Sequence, residues 1–199
     1  GAKVRDGDFV RPGIVAVLWS RLSVQEHWRH INFYILGHGW IPKSITLDYE
    51  NRLKAIFEDF HAHPELSLAE FETAKKISTA LKNHGFTVTE NVGGTGVVAL
   101  LKNGKGPLVM MRADMDGLPL EEKTDLPYAS KDKQLDPVTG NVFPVMHACG
   151  HDVHITALIG TAKQMVDLKS EWSGTLMLIA QPAEERVLGA RNMMNDNLW

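Results

Sequence analysis

The sequence predicts a layered α/β fold, and three observations support that prediction. Apolar residues recur at helical spacing in two segments before residue 85 and in one after residue 150. Short apolar runs of strand length lie between these segments, with Gly-rich and Pro-rich turns separating them. Helical and extended segments therefore alternate, which is typical of helices packed on a sheet.

Two amphipathic helices begin the regular part of the chain. One apolar face predicts a helix over Leu47–Ala62, which Pro64 terminates. That face consists of Leu53, Ile56, Phe57 and Phe60. A capping box is predicted before the second helix, with Ser67 as the N-cap and Glu70 reaching back to it. Gly85 ends this second helix, whose predicted buried residues are Phe71, Ala74, Ile77 and Leu81.

Strands and helices then follow one another to the end of the chain. Strands are predicted over residues 86–89, 96–101 and 108–112. Residues 124–145 contain Pro127, Pro137 and Gly140 and are predicted to be irregular. The remaining predicted elements are a helix over residues 151–168, a strand over 175–180 and a short helix over 186–195.

Composition excludes several classes of protein. The 199 residues are 44% apolar and 23% charged, which is ordinary for a globular domain. Twenty-one basic against 24 acidic residues give a charge of −3, and without a long basic run we expect no nucleic-acid partner. The longest strongly apolar run covers six residues from Ile14 to Trp19, whereas a membrane span needs about 20. A single cysteine, Cys149, excludes an internal disulfide framework and fits a cytoplasmic location.

Residues 1–45 differ from the rest of the chain. They hold three of the five Trp residues and six basic against three acidic side chains. We expect them to be an extension of unknown role, followed by one domain over residues 46–199. Because the chain begins at Gly1 and stops at Trp199 without an evident closing element, we expect a piece of a longer protein.

Three clusters of metal-type side chains lie at equivalent places in the predicted fold. They are Asp114 with Asp116 and Glu184 with Glu185, each after a strand, and Cys149 with His151 before a helix. Sites in open α/β sheets form beyond the carboxyl ends of strands, and thiolate, imidazole and carboxylate are ligands of Zn²⁺ and similar ions. We expect the helix N-terminus to keep His151 neutral, as a metal ligand must be. Of two adjacent glutamates, one can bind a metal while the other accepts a proton.

Each of these residues also has an ordinary structural interpretation. A lone cysteine such as Cys149 is commonly a small buried apolar residue, and an adjacent Glu pair commonly lies on a solvated face. His147 and His154 fit polar neighbours better than ligands, and His61 and His63 need no function at a helix end. The coincidence of three clusters favours a metal site over these separate explanations.

A dinucleotide-binding site is the second alternative. Residues 94–99 (GTGVVA) fit the pattern G-x-G-x-x-G/A, with Asp114 and Asp116 about 20 residues on. That fingerprint must open a helix. Here the glycines lead into five apolar residues that Asn103 and Gly104 end, which predicts a turn and a strand.

A series of ordered segments resembles peptidase family M20, in particular its amidohydrolase branch of aminoacylases, hippurate hydrolases and auxin-conjugate hydrolases. The segments are residues 63–67 (HPELS), 93–99 (GGTGVVA), 112–119 (RADMDGLP), 126–130 (LPYAS), 146–152 (MHACGHD) and 181–185 (QPAEE). They span about residues 50–199. The two last segments are the most specific of the series.

The resemblance implies a layered α/β/α fold of the zinc-peptidase kind and assigns roles to five residues. Cys149, His151 and Glu185 match metal ligands, Glu184 matches the general base, and Asp116 matches a residue that orients the ligands. It implies two divalent ions, zinc or manganese, and hydrolysis of the amide bond of an N-acyl amino acid. Glu184 would take a proton from the attacking water and return it to the leaving amine.

The resemblance also implies what this chain lacks. Enzymes of the family are longer, with two further His ligands at places that would follow Trp199. They also contain an inserted satellite domain that forms a homodimer. We therefore expect the N-terminal part of a catalytic domain, inactive alone, with exposed sheet edges. The alternative is a non-catalytic, degenerate product that binds a metal or a partner.

Overall fold

The computed structural model describes residues 47–196 and 198, whose fold is a mixed sheet between helices. The helices are α1 (Leu47–Ala62), α2 (Phe71–Asn83), α3 (His151–Asp167) and α4 (Gly189–Asn195), with a 3-10 turn at Lys169–Glu171. The strands are β1 (Thr87–Val92), β2 (Gly96–Asn103), β3 (Leu108–Asp114), β4 (Lys133–Leu135), β5 (Val142–Pro144) and β6 (Gly174–Gln181). None of the described helices is long and apolar enough to cross a membrane. The predicted extension over residues 1–45 lies outside the described residues, so its boundary stays a prediction.

The strand order of the main sheet is β1-β2-β6-β3. Strand β2 runs antiparallel to both β1 and β6, whereas β3 and β6 are parallel. In the register of that parallel pair Asp114 lies beside Gln181. The carboxyl ends of β3 and β6 therefore meet at one edge of the sheet, and the chain that follows each strand enters the same space.

Helices cover both faces of the sheet. On one face Ile77 of α2 and Ile155 of α3 pack with Phe60 of α1 in the main core, against alternate residues of β2, β3 and β6. On the other face Met193 of α4 packs against Val98 and other sheet residues. This arrangement confirms the predicted α/β/α layering, because strand residues alternate between the faces.

The capping box predicted before α2 is wrong. Helix α2 begins at Phe71, and the side chain of its N-cap residue Glu70 makes no capping hydrogen bond. The free N–H groups of Glu72 and Thr73 instead donate to the carboxylate of Glu65. The side chain of Ser67 instead donates a hydrogen bond to a buried group distant in sequence, and the side chain of Glu70 accepts hydrogen bonds from such groups.

Three further predictions need correction. Phe71 is 64% exposed. It precedes Ile77 by six residues, which correspond to one full helical turn plus about 240°. The two side chains therefore lie on different faces of the helix. The region predicted as irregular contains the β4–β5 hairpin, whose strands are too short to show alternation. Helix α4 begins at Gly189 and not at residue 186, since Val187 has φ +55° and cannot continue a helix.

Candidate metal centre

Asp116 joins the three predicted clusters. Its Oδ1 and Oδ2 accept the backbone N–H groups of Glu184 and Glu185, each at 3.1 Å. Oδ2 also accepts the Ser67 hydroxyl at 2.6 Å. His151 Nδ1 lies 2.7 Å from the Asp116 carbonyl oxygen and 3.3 Å from Oδ1. The role expected of Asp116, orientation of its neighbours, is supported by these contacts.

The charge state of Asp116 follows from those contacts. Burial by itself would raise the pKa of this carboxyl group. Hydrogen bonds with His151, Ser67 and the Glu185 backbone outweigh burial and hold the pKa below its ordinary value. Asp116 is therefore an anion that accepts four donors, and a buried anion is tolerated only with such partners.

Residues 182–185, here called the glutamate turn, carry the two glutamates out of strand β6. Ala183 has φ +45°, a conformation uncommon for a residue with a side chain. Its carbonyl accepts the N–H groups of Leu188 and Gly189, each at 3.2 Å. A Cβ atom on Gly189 would lie 1.5 Å from the Pro182 carbonyl oxygen, so this close approach requires glycine. The turn is thus held in one conformation by its own backbone.

The first turn of α3 carries His151. Gly150, the N-cap residue, has φ +79°, and His151 is the first helical residue. From the sequence, the helix N-terminus is expected to keep His151 neutral. The protein groups around the ring act in the opposite direction. Burial lowers the pKa of His151, but its hydrogen bonds to Asp116 and the charges of Asp116 and Asp114 outweigh burial and raise the pKa to about 9. The two nearby carboxylates favour the charged form of the ring.

Cys149, His151 and Glu185 converge. One ligand atom from each lies within 4.8 Å of the others. Cys149 is exposed, contrary to the interpretation as a small buried residue. Partial burial and the carboxylates of Glu185, Glu184 and Asp114 raise the pKa of its thiol to about 11. In a second group, one ligand atom from each of Asp114, His151 and His154 also lies within 4.8 Å of the others.

Glu184 stands beside the ligand group without belonging to it. Its Oε2 lies 3.6 Å from His151 Nε2, and its side chain is 40% exposed. Partial burial and the negative charge of Asp114 raise the pKa of Glu184. A raised pKa brings a carboxylate closer to the range in which a general base works at neutral pH.

The ligand group fits a divalent cation. A buried Glu185 Oε1 has no hydrogen-bond partner among the described residues, so an electrophile would satisfy it. His151 uses Nδ1 on Asp116, which leaves Nε2 for a metal in the arrangement common to histidine ligands. A divalent charge would also stabilise the thiolate of Cys149 among its carboxylate neighbours. The donor types of this group therefore fit a divalent cation.

Asp114 has a partner of its own. Arg112 donates from Nη1 to the Asp114 carboxylate and, at 2.7 Å, to Gln181 Oε1. His154 Nδ1 lies 3.4 Å from Asp114 Oδ2. The guanidinium thus offsets one of the carboxylate charges beside the ligand group.

Sequence reasoning overlooked two buried groups near the site. His61 lies between carboxylates, with Nδ1 2.7 Å from Asp152 and Nε2 2.9 Å from Glu122. Glu70, fully buried, accepts hydrogen bonds from Ala183 and Thr95. In the sequence, each of these residues is marked only by its position at the end of a predicted helix. That position gives no information on partners more than 20 residues away.

The ring nitrogens of His147 have no hydrogen-bond partner among the described residues, and its predicted role as a polar neighbour stays a prediction. It is buried, and it belongs to neither group of converging metal-type atoms in the described part of the chain. Burial lowers its pKa to about 4, so its ring is neutral at physiological pH.

The segment that fits the dinucleotide fingerprint is a hairpin turn followed by a strand. Gly93 and Gly94 join β1 to β2, and Gly96 begins a strand that pairs antiparallel with both neighbours. A phosphate-binding glycine loop must lead into a helix whose N-terminus faces the phosphate. The prediction of a turn followed by a strand is confirmed.

Known proteins share these features. Residues 110–198 match the model of Peptidase family M20/M25/M40. Hippurate hydrolase of Campylobacter jejuni is 42% identical over 154 residues, which cover 77% of this chain and 37% of that protein. N-acetylcysteine deacetylase of Bacillus subtilis is 41% identical over 148 residues, which cover 73% of this chain and 36% of that protein. The chain thus spans somewhat more than a third of the length of these relatives.

A solved structure shows the same fold. The YXEP protein of Bacillus subtilis, described as a dinuclear metal binding peptidase from the M20 family, superposes with a TM-score of 0.67 at 38% identity. The match covers 76% of this chain and 40% of that one. In fold and in the sequence of residues 110–198, this chain matches peptidase family M20.

Proposed function

We propose that the protein carrying this chain hydrolyses the amide bond of N-acyl amino acids or related conjugates with the help of divalent metal ions. One observation supports the proposal above the others. Asp116 binds the backbone of both Glu184 and Glu185 and also the ring of His151. The proposed base and two proposed ligands are thereby fixed relative to one another, as hydrolysis requires.

The proposed ligands are Cys149, His151 and Glu185. Divalent ions bound there would supply Lewis-acid activation of water and of the substrate carbonyl. Glu184 accepts the proton of the attacking water at its carboxylate and later donates it to the leaving amine nitrogen. Asp116 keeps His151 Nε2 and the two glutamates in place during both proton transfers.

The names of two relatives support a substrate class. The two curated relatives are named for hippurate and for N-acetylcysteine, both of which are N-acyl amino acids. We propose a small-molecule substrate of this class, with zinc or manganese as the ion. Formation of a homodimer and a cytoplasmic location stay predictions.

A non-catalytic metal-binding role is the second candidate, and one observation favours it. Among the described residues the proposed ligand group has three members, whereas a stable site for two ions needs more. Such a group would hold one ion without completing a site for two.

The test combines metal binding with hydrolysis. Co²⁺ added to the chain is expected to give a thiolate charge-transfer band that Cys149→Ser abolishes. In the protein that carries this chain, Glu184→Gln is expected to lower kcat on N-acetyl and N-benzoyl amino acids by about 10²- to 10⁴-fold, because the general base is lost. The Co²⁺ affinity of the Glu184→Gln variant should change little.

Glu121→Gln is the matched control, since Glu121 is an exposed acid whose contact is a 3.6 Å ion pair with Lys123. It should leave both measurements unchanged. Normal hydrolysis by Glu184→Gln would refute the proposed base. Co²⁺ binding without any hydrolysis by the wild-type protein would favour the non-catalytic role.

A further inference from the structure

Glu70 is a buried carboxylate that the proposed mechanism does not use. Its side chain is 0% exposed. Oε1 accepts the N–H of Ala183 at 2.8 Å, and Oε2 accepts the hydroxyl of Thr95 at 2.6 Å. Both donors are neutral, and a carboxylate is rarely buried in this way. Such a costly arrangement indicates a specific role.

The atom that Glu70 binds lies within the glutamate turn. Ala183 is fully buried and has φ +45°, a strained conformation that persists only where surrounding contacts impose it. Its N–H donates to Glu70, and the next two N–H groups, of Glu184 and Glu185, donate to Asp116. Two buried carboxylates therefore accept three successive N–H groups of this turn.

Thr95 connects this arrangement to the β1–β2 hairpin. It lies in the 93–96 turn, whose glycines resembled a nucleotide-binding loop, and it is 5% exposed. Its hydroxyl donates to Glu70 Oε2, which leaves Oε1 directed at Ala183. The hairpin thus orients the carboxylate, and the carboxylate contacts the turn.

We infer that Glu70 is a positioning residue that holds the glutamate turn through the Ala183 N–H, with Thr95 orienting its carboxylate. The roles of Glu184 and Glu185 rest on the proposed function, whereas the hydrogen bond itself does not. A displacement of this turn would move the proposed base and a proposed ligand together. Small misplacements of that kind are costly to catalysis and to metal binding.

Hydrogen exchange of the Ala183 amide in the metal-free chain tests the inference directly. Glu70→Ala is expected to lower the protection of this amide at least tenfold more than Glu65→Ala does. Glu65 is the matched control, because its carboxylate accepts two N–H groups at the start of the same helix without contacting the turn. Equal loss of protection in both variants would reflect general destabilisation and would overturn the inference.

Conservative variants keep the test valid if Glu70→Ala does not fold. Glu70→Gln retains an oxygen for Ala183, and its amide can donate to the Thr95 hydroxyl oxygen, so protection should stay within about threefold of wild type. Adding Thr95→Val removes that acceptor. At the Ala183 amide, the loss of protection in the double variant should be at least tenfold larger than the combined losses of the two single variants. Additive effects would contradict the orienting role of Thr95.

Co²⁺ affinity separates this inference from the proposed function. Glu70→Ala should weaken Co²⁺ binding by about 10- to 100-fold, the usual effect of losing a group that orients metal ligands, and Glu70→Gln should restore it. Unchanged affinity in Glu70→Ala would overturn the positioning role. Failure of the wild-type chain to bind Co²⁺ would refute the proposed metal site, and exchange at Ala183 would still decide the role of Glu70.

Discussion

Asp116 shows how much of the candidate site depends on single buried acceptors. Both of its carboxylate oxygens and its carbonyl oxygen contact groups of the site. Each of its partners lies at least 35 positions from Asp116 along the chain. Hydrogen bonds to a charged group are stronger than neutral ones, and a donor left without its acceptor is costly. The site should therefore respond sharply to loss of this one charge.

Asp116→Asn tests that expectation. The amide NH₂ replaces an acceptor oxygen and faces N–H or O–H donors, so we expect a loss of about 1–3 kcal/mol in the free energy of unfolding. Co²⁺ affinity should fall by about 10- to 100-fold. Urea titration and the cobalt band measure the two effects.

Asp59→Asn is the control for Asp116→Asn. Asp59 forms an exposed pair with Lys76, and exposed pairs contribute little to stability. If both substitutions changed stability and Co²⁺ affinity equally, the organising role of Asp116 would be refuted.

At the scale of elements, His61 connects the end of α1 to the start of α3. Its ring contacts Asp152 in the first turn of α3 and Glu122 in the loop after β3, and all three side chains are buried. Edge-on contact with Tyr128 covers the same ring. Since His151 precedes Asp152, this connection also fixes the helix turn that carries a proposed ligand.

The connection predicts a pH dependence of stability. Burial lowers the pKa of His61, but hydrogen bonds and charges of Asp152 and Glu122 outweigh it and raise the pKa above 6.5. A raised folded-state pKa stabilises the fold fully below about pH 6.5, and that stability is lost as the pH rises through the folded-state pKa. We expect the wild-type urea midpoint to fall over that range, and His61→Gln to reduce the fall.

His151, whose raised pKa acts in the same direction, is present in both proteins, so the difference between the two profiles isolates His61. His63→Gln, which removes an exposed imidazole near the same helix end, is the control and should alter the profile far less. Parallel profiles for wild type and His61→Gln would contradict the prediction.

The elements differ in how well the sequence specifies them. Helix α1 has the bounds that its apolar face predicts, because several turns of regular spacing give a strong signal. The β4–β5 hairpin has three residues in each strand, and Gln134 attaches it to Leu66 and Ala69. Those attachments are tertiary contacts, and no local pattern contains them.

At the scale of the whole molecule, strand β3 forms an edge of the described sheet. In the part of the chain that the structure describes, β6 is its one hydrogen-bonded neighbour. Leu108, Val109 and Met110 are each more than 40% exposed. An exposed apolar edge strand promotes association with other chains.

The chain should therefore self-associate, and Met110→Lys should reduce association because a charge on an edge strand opposes strand pairing. Leu120→Lys is the control, since Leu120 is 48% exposed but lies outside the strands. Light scattering coupled to size-exclusion chromatography measures the mass. A monodisperse wild-type monomer would refute the expectation of an open edge.

The sequence by itself determined the helical and extended segments, the layered architecture and the identity of the proposed ligands and base. Local spacing and residue chemistry suffice for the segments, the layering and the candidate clusters, because helix and strand periods and donor types are properties of short segments. The roles of ligand and base came from the resemblance of those segments to family M20. Only the tertiary structure decided that Glu70 binds the glutamate turn, that Asp116 contacts the His151 ring and raises its pKa, and that His61 lies between two carboxylates. Each of these depends on groups distant in sequence, whose burial and charge act together only after the chain has folded.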